Sequence, residues 1–337
     1  MRGTTILNTH HSRLFFLSVA LVAAYPVMST FAFDCKLADT KAEKAICADP
    51  AAIAADAALG AAYTSLRGSL VPAQRSELAK AQSRWLPERD ASCGDKSGTE
   101  FSACLADQSR TRMKVLMGAP VAGPGSSGKL VPFFRFEKGA PGKTDIDVEV
   151  FKFTNPTTAA ESTFNADVEK LISDIPQPDK GDKAEDFSFS TLMTLSYVST
   201  RLISAQTVTS TFVGGAHPMI EILNINIDAA KGKPATFANL LDKKPAKDIF
   251  KLCAAQVLRQ KKESQGADAD VSADALQALE QTITDVSGDL ALWSFNADNA
   301  VVTYSADMVA SHAEGVFDCT IPYADLRKLA KTSFPLP

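Results

Sequence analysis

The chain has 337 residues, 45% hydrophobic and 22% charged, with a formal net charge of −4 at pH 7. That acidic balance excludes nucleic acid as a partner, because phosphate binding needs a basic face. Length and apolar content provide for two domains, each able to bury its own core.

The sequence opens with Arg2 and Arg13, an apolar run from Leu14 to Met28, and the ending Thr30-Phe31-Ala32. This is the charged, apolar and small-residue pattern of a secretory signal peptide over residues 1–32, cut after Ala32. The run is shorter than the roughly 20 residues of a membrane span, and no later stretch is apolar enough. The expected product is soluble and periplasmic, with no membrane span after signal cleavage.

All six cysteines, Cys35, Cys47, Cys93, Cys104, Cys253 and Cys319, follow that segment. An even count in an exported chain reads as disulfides. Three connectivities are open to the first four; proximity favours Cys35–Cys47 with Cys93–Cys104. Cys253–Cys319 follows if the domains are separate. Zinc is the rival, but the mature chain has only His217 and His312 and no Cys-x-x-Cys pair, so neither a metal nor a cofactor is expected.

Residues 33–118 read as helices. Thr40-Lys41-Ala42-Glu43 fits a capping box, and Asp49-Pro50 a cap with proline at the first helical position. Leu59, Tyr63, Leu66 and Leu70 share one helix face; Leu78, Ala81, Trp85 and Leu86 form the next stripe, which Pro87 should kink or shorten. A last helix is expected from about Ser102 to Leu116. Arg84 and Arg89 are candidate binding residues; equally, helical spacing puts Trp85 in the core and pairs Arg89 with Asp90 or Asp56.

Asp34-Cys35, the run Thr40 to Cys47, Pro50, Asp56, Leu59 and Tyr63 resemble the front half of the LprI family, known for a lysozyme inhibitor. Gln82 to Asp90, Cys93 and Cys104-Leu105 resemble its second half, with Pro87 a departure. The resemblance implies a helical lysozyme-binding domain.

Residues 119–130 are rich in Gly, Pro and Ser and read as a flexible linker. Beyond it, residues 131–337 mix strands and helices. A strand is expected around Ile146–Phe153, a helix near Ala159–Ser173, then a polar loop from Asp179 to Glu185. Three strands follow at about Phe187–Ser199, Leu202–Phe212 and Met219–Asp228. Helices near Lys247–Lys262 and Ala273–Val286 precede strands near Leu290–Asn296, Ala300–Ser305 and Val316–Ile321, and a helix from Tyr323. The expected fold is a small disulfide-stapled helical bundle, then an α+β domain with a mainly antiparallel sheet covered by helices on one face.

Val213-Gly214-Gly215-Ala216-His217-Pro218 joins two of these strands as a turn. With Phe237 to Leu241 and the segment from Tyr304 through His312 to Leu326, it resembles the extracellular, lysozyme-binding domain of the RsiV anti-sigma factors. The same domain type accompanies peptidoglycan deacetylases as a non-catalytic part. Asp307 and His312 stand where that family often has tyrosines. Gly214, Gly215, His217 and His312 join Arg84 and Arg89 as candidate binding residues.

No nucleophile elbow, phosphate loop or His-Glu-x-x-His occurs. The expectation is a binding protein and not an enzyme, with lysozyme as partner and inhibition as its effect. Peptidoglycan is the alternative partner.

Overall fold

A computed structural model describes residues 34–139, 145–173, 187–266 and 272–337. The signal segment with its cleavage site, and the polar loop expected from Asp179 to Glu185, lie outside the described residues.

The first 80 or so described residues are helical: α1 (Lys41–Ala48), α2 (Pro50–Ser69), α3 (Pro72–Ser92) and α4 (Gly98–Leu116). The Thr40 hydroxyl accepts from the Glu43 N–H at 3.1 Å, and the Glu43 carboxylate returns to the Thr40 N–H at 2.9 Å. This capping box satisfies donors that the first turn of α1 leaves open. Cys35–Cys47 ties the leading turn to α1, and Cys93–Cys104 ties the end of α3 to α4. α3 runs on through Pro87 to Ser92, so the proline does not end it. Arg89 anchors that last turn: it is buried, pairs with Asp90 and Asp56, and stacks on the Trp85 ring.

Next comes a six-stranded sheet in sequence order: β1 (Lys129–Glu137), β2 (Asp145–Thr154), β3 (Ser188–Val198), β4 (Leu202–Phe212), β5 (Met219–Asp228) and β6 (Lys233–Pro234). All its pairings are antiparallel except β2 with β3, which α5 (Ala159–Ser173) connects as a crossover. Parallel neighbours need such a connection. β1 was not expected from the sequence. Pro132 argues against a central strand, and β1 is an edge strand, where proline is tolerated.

The chain closes with α6 (Phe237–Leu240), α7 (Lys243–Gln265), α8 (Ala273–Val286), β7 (Trp293–Phe295), β8 (Asn299–Tyr304), β9 (Phe317–Pro322) and α9 (Tyr323–Leu329). β7, β8 and β9 form a second, three-stranded antiparallel sheet. Its core joins Trp293, Phe295, Tyr304 and Ile321 to Ile249 and Val257 of α7 and Ile283 of α8. Cys253–Cys319 bolts α7 to β9. Gln256 also bridges Thr320, donating to its carbonyl at 2.8 Å and accepting from its N–H at 3.0 Å, which covers the outer edge of β9. The two sheets meet through Ser204 Oγ, which accepts from the Phe295 N–H at 3.0 Å, and Asn226 Nδ2, which donates to Leu290 and Trp293 carbonyls.

The helical region and the large sheet share a core. Phe134 of β1 is 1% exposed and packs among Leu59, Leu66, Leu78, Ala81 and Leu116. Phe136 donates its N–H to Glu77 Oε2 at 2.7 Å, Arg84 pairs with Asp147, and Arg112 pairs with Glu149. The segment expected to be a flexible linker is hydrogen-bonded along β3. Val121 N–H donates to Leu195 O at 2.8 Å, Val198 N–H to Ala122 O at 3.1 Å, and Gly125 N–H to Val198 O at 2.9 Å. Gly123 holds φ +93°, and a Cβ there would lie 2.3 Å from Val198 O. Only glycine permits that approach.

Candidate interaction site

The end of the helical region furthest along α4 from the sheet carries a cleft of about 670 Å³, lined by Lys41, Asp49, Pro50, Thr99, Phe101 and Ser102. Its walls are helix starts. Asp49 caps α2, with Oδ1 accepting from the Ala51 N–H at 2.8 Å. Its other oxygen accepts from the Ser102 hydroxyl at 2.9 Å, which fixes the start of α2 against α4. The Ser102 hydroxyl and then the Ala51 N–H hold the Asp49 carboxyl below its ordinary value. Lys41 Nζ stands 4.3 Å from the centre of the Phe101 ring, a cation–π contact. The cleft thus sets an exposed ammonium, a carboxylate and hydroxyls around a partly apolar floor.

The sequence did not single out these residues, because Thr40 and Asp49-Pro50 read only as helix caps. The available signal was that two caps fall within one short, disulfide-linked stretch.

Arg84 and Arg89 are placed differently from a binding role. Arg84 is held by Asp147 with its guanidinium over the Phe136 ring, and Arg89 is buried on Asp56, Asp90 and Trp85. Burial pushes the Asp56 carboxyl up, and the Arg89 charge partly opposes that. Arg89 pairs with both acids that helical spacing offered it, Asp90 and Asp56, and Arg84 is held by an acid of the sheet.

His217 and His312 come together. Their rings stack with centres 3.6 Å apart and planes 17° from parallel. His312 Nδ1 lies 2.9 Å from Asp307 Oδ2, and His217 Nδ1 lies 3.3 Å from the Pro218 carbonyl. Gly214 and Gly215, at φ +90° and +108°, make the exposed β4–β5 turn that brings His217 there. The turn also exposes Val213 and Met219. The face of the His312 ring meets a second imidazole, and the pair lies at the surface. Among the described residues, no group of three His, Cys, Asp or Glu side chains is placed to hold a metal ion.

Residues 35–116 match the family model described as Lysozyme inhibitor LprI. No curated protein matches the chain. Solved structures similar to it include a DUF3298 family member from Bacteroides fragilis NCTC 9343, at 12% identity and a TM-score of 0.45. That similarity covers 61% of this chain and 95% of the other. A DUF3298 family protein from Pseudomonas aeruginosa PAO1 is similar at 16% identity and a TM-score of 0.43, covering 62% of this chain and 97% of its own.

Proposed function

We propose that the protein is a periplasmic, non-catalytic inhibitor that binds lysozyme through the free end of its helical region. The observation that carries this is the match of residues 35–116 to the LprI lysozyme-inhibitor model. Geometry narrows the surface. The Arg84, Trp85 and Arg112 side of the helices is taken up by β1 and β2, which leaves the Lys41–Asp49–Thr99 cleft open. Three disulfides fit an oxidising compartment. Among the described residues, no single helix is long and apolar enough to cross a membrane. The α/β half enters the same reading through its resemblance to the extracellular domain of RsiV on the Gly214–Pro218 and Tyr304–Leu326 motifs.

The test is lysis of a peptidoglycan suspension by a c-type lysozyme with the full protein titrated in. Micromolar protein should slow lysis, and Lys41→Glu or Thr99→Arg should weaken that effect while leaving the melting temperature unchanged. No inhibition and no lysozyme binding at low salt would sink the reading. Co-sedimentation with purified cell wall, independent of lysozyme, would favour peptidoglycan as the partner.

A further inference from the structure

On the α/β half, two adjoining cavities of about 440 and 350 Å³ form one groove between α5, β5 and the turn at Gly288–Ala291. Asp167, Asn224, Ile225 and Ala291 line both parts. Glu221 stands at one end and Asp289 at the other, against a single cation, Lys170. Thr207 and Thr209 add hydroxyls.

Two features mark this groove as more than a seam. Asp167, midway along it, makes no hydrogen bond or ion pair among the described residues, and burial raises its carboxyl, with Lys170 only partly opposing. A half-buried carboxylate without a partner costs stability. Asn224, which is 7% exposed, donates Nδ2 to Ala291 O at 3.0 Å, and its Oδ1 has no partner among the described residues. Buried polar atoms are nearly always paired, so a site with an unpaired carboxylate and an unpaired amide oxygen is short of donors. What would complete it is a positively charged, multiply donating group.

The geometry points to this groove as a docking site for a guanidinium or ammonium group on a basic protein partner. The inference rests on the proposed lysozyme reading and adds a second contact on the other half of the chain. Three carboxylates against one lysine match a cationic side chain in sign, and the hydroxyls and Asn224 match it in hydrogen bonding. A neutral wall saccharide would leave the carboxylates without a counter-charge.

The experiment measures binding of the full protein to hen lysozyme and, separately, to a fluorescein-labelled tri-arginine peptide, at low and high salt. Asp167→Asn should weaken both at least fivefold at low salt, Glu221→Gln less, and high salt should erase the difference. The Asp167→Asn variant should melt no lower than the parent, because the lost carboxylate was unpaired. If lysozyme binding is unchanged by Asp167→Asn but falls with Lys41→Glu, the groove is not a contact and the lysozyme reading stands. If lysozyme does not bind but the peptide does, with the Asp167 dependence, the groove stands and the lysozyme reading falls. Displacement of the peptide by a peptidoglycan oligosaccharide, with no effect of Asp167→Asn, would overturn the groove's assignment in favour of the wall.

Discussion

Arg112 of α4 donates Nη1 to both carboxylate oxygens of Glu149 on β2, at 2.8 and 2.6 Å, with both side chains buried. The guanidinium lies between the rings of Trp85 and Phe134, 5.8 and 5.5 Å from their centres, and its Nε reaches Gln82 at 3.2 Å. Nη2 has no partner. Removing one member of such a pair strands the other charge, at a cost of about 3–5 kcal/mol, while replacing both with apolar residues is often neutral. Glu149→Ala should therefore lower the urea midpoint strongly, and Arg112→Met with Glu149→Leu should restore most of it. A loss below about 1 kcal/mol for Glu149→Ala would mean that water reaches the pair.

Cys253 and Cys319 are both fully buried and close a loop with a sequence separation of 66. Loop-closure entropy gives such a bond about 4 kcal/mol of stabilisation, against about 3 kcal/mol for a loop of around 15 residues. Cys253→Ala with Cys319→Ala should lower the melting temperature more than Cys93→Ala with Cys104→Ala, whose separation is 11. Scanning calorimetry on the two double variants decides it, and the reverse order would mean the small-sheet core holds without its bolt.

Glu161 predicts a pH dependence. Burial pushes its carboxyl up, but the Thr157 and Thr158 N–H groups and the Thr157 and Ser127 hydroxyls outweigh that and hold it below its ordinary value of 4.5. A lowered folded-state value means the stabilisation is complete above the ordinary value and is lost as pH falls through the folded one. Glu161→Gln should cost about 1–3 kcal/mol at pH 7, and the gap to the parent should close towards pH 3. Melting curves of both proteins between those limits test it; a constant gap would refute it.

Arg84 separates stability from binding. Arg84→Ala loses the Asp147 pair and the Phe136 contact, both partly solvated, and should cost about 1 kcal/mol. Inhibition of lysozyme should not change. A specific loss of inhibition at unchanged stability would move the binding surface to α3.

Much of this fold is written locally. α5 and α8 have the limits their apolar spacing predicts, and the cysteines pair with their nearest available partners. What was not legible is long-range. Arg112 falls in the apolar register of α4, in step with Phe101, Leu105 and Leu116, and an arginine in that register needs a buried acid. Sequence spacing gives the register but not the identity of Glu149. β1 escaped because Pro132 masks an edge strand. The His217–His312 contact depends on two loops meeting, which no periodicity encodes. The Asp167 groove needs the parallel β2–β3 crossover to set α5 over the sheet.

The bonding of Gly118–Gly128 to β3 changes where the chain can be cut. By composition this stretch is the natural place for a protease or for a truncation between halves. Here the Val121 and Gly125 N–H groups donate to Leu195 and Val198, the Ala122 carbonyl accepts from Val198, and Phe134 beyond the stretch completes the helical core. Limited digestion should leave it intact, and a fragment ending at Gly118 would expose Leu78, Leu116 and Trp85 to water. A gene encoding the helical part alone would lack the one phenylalanine of the sheet that completes its core.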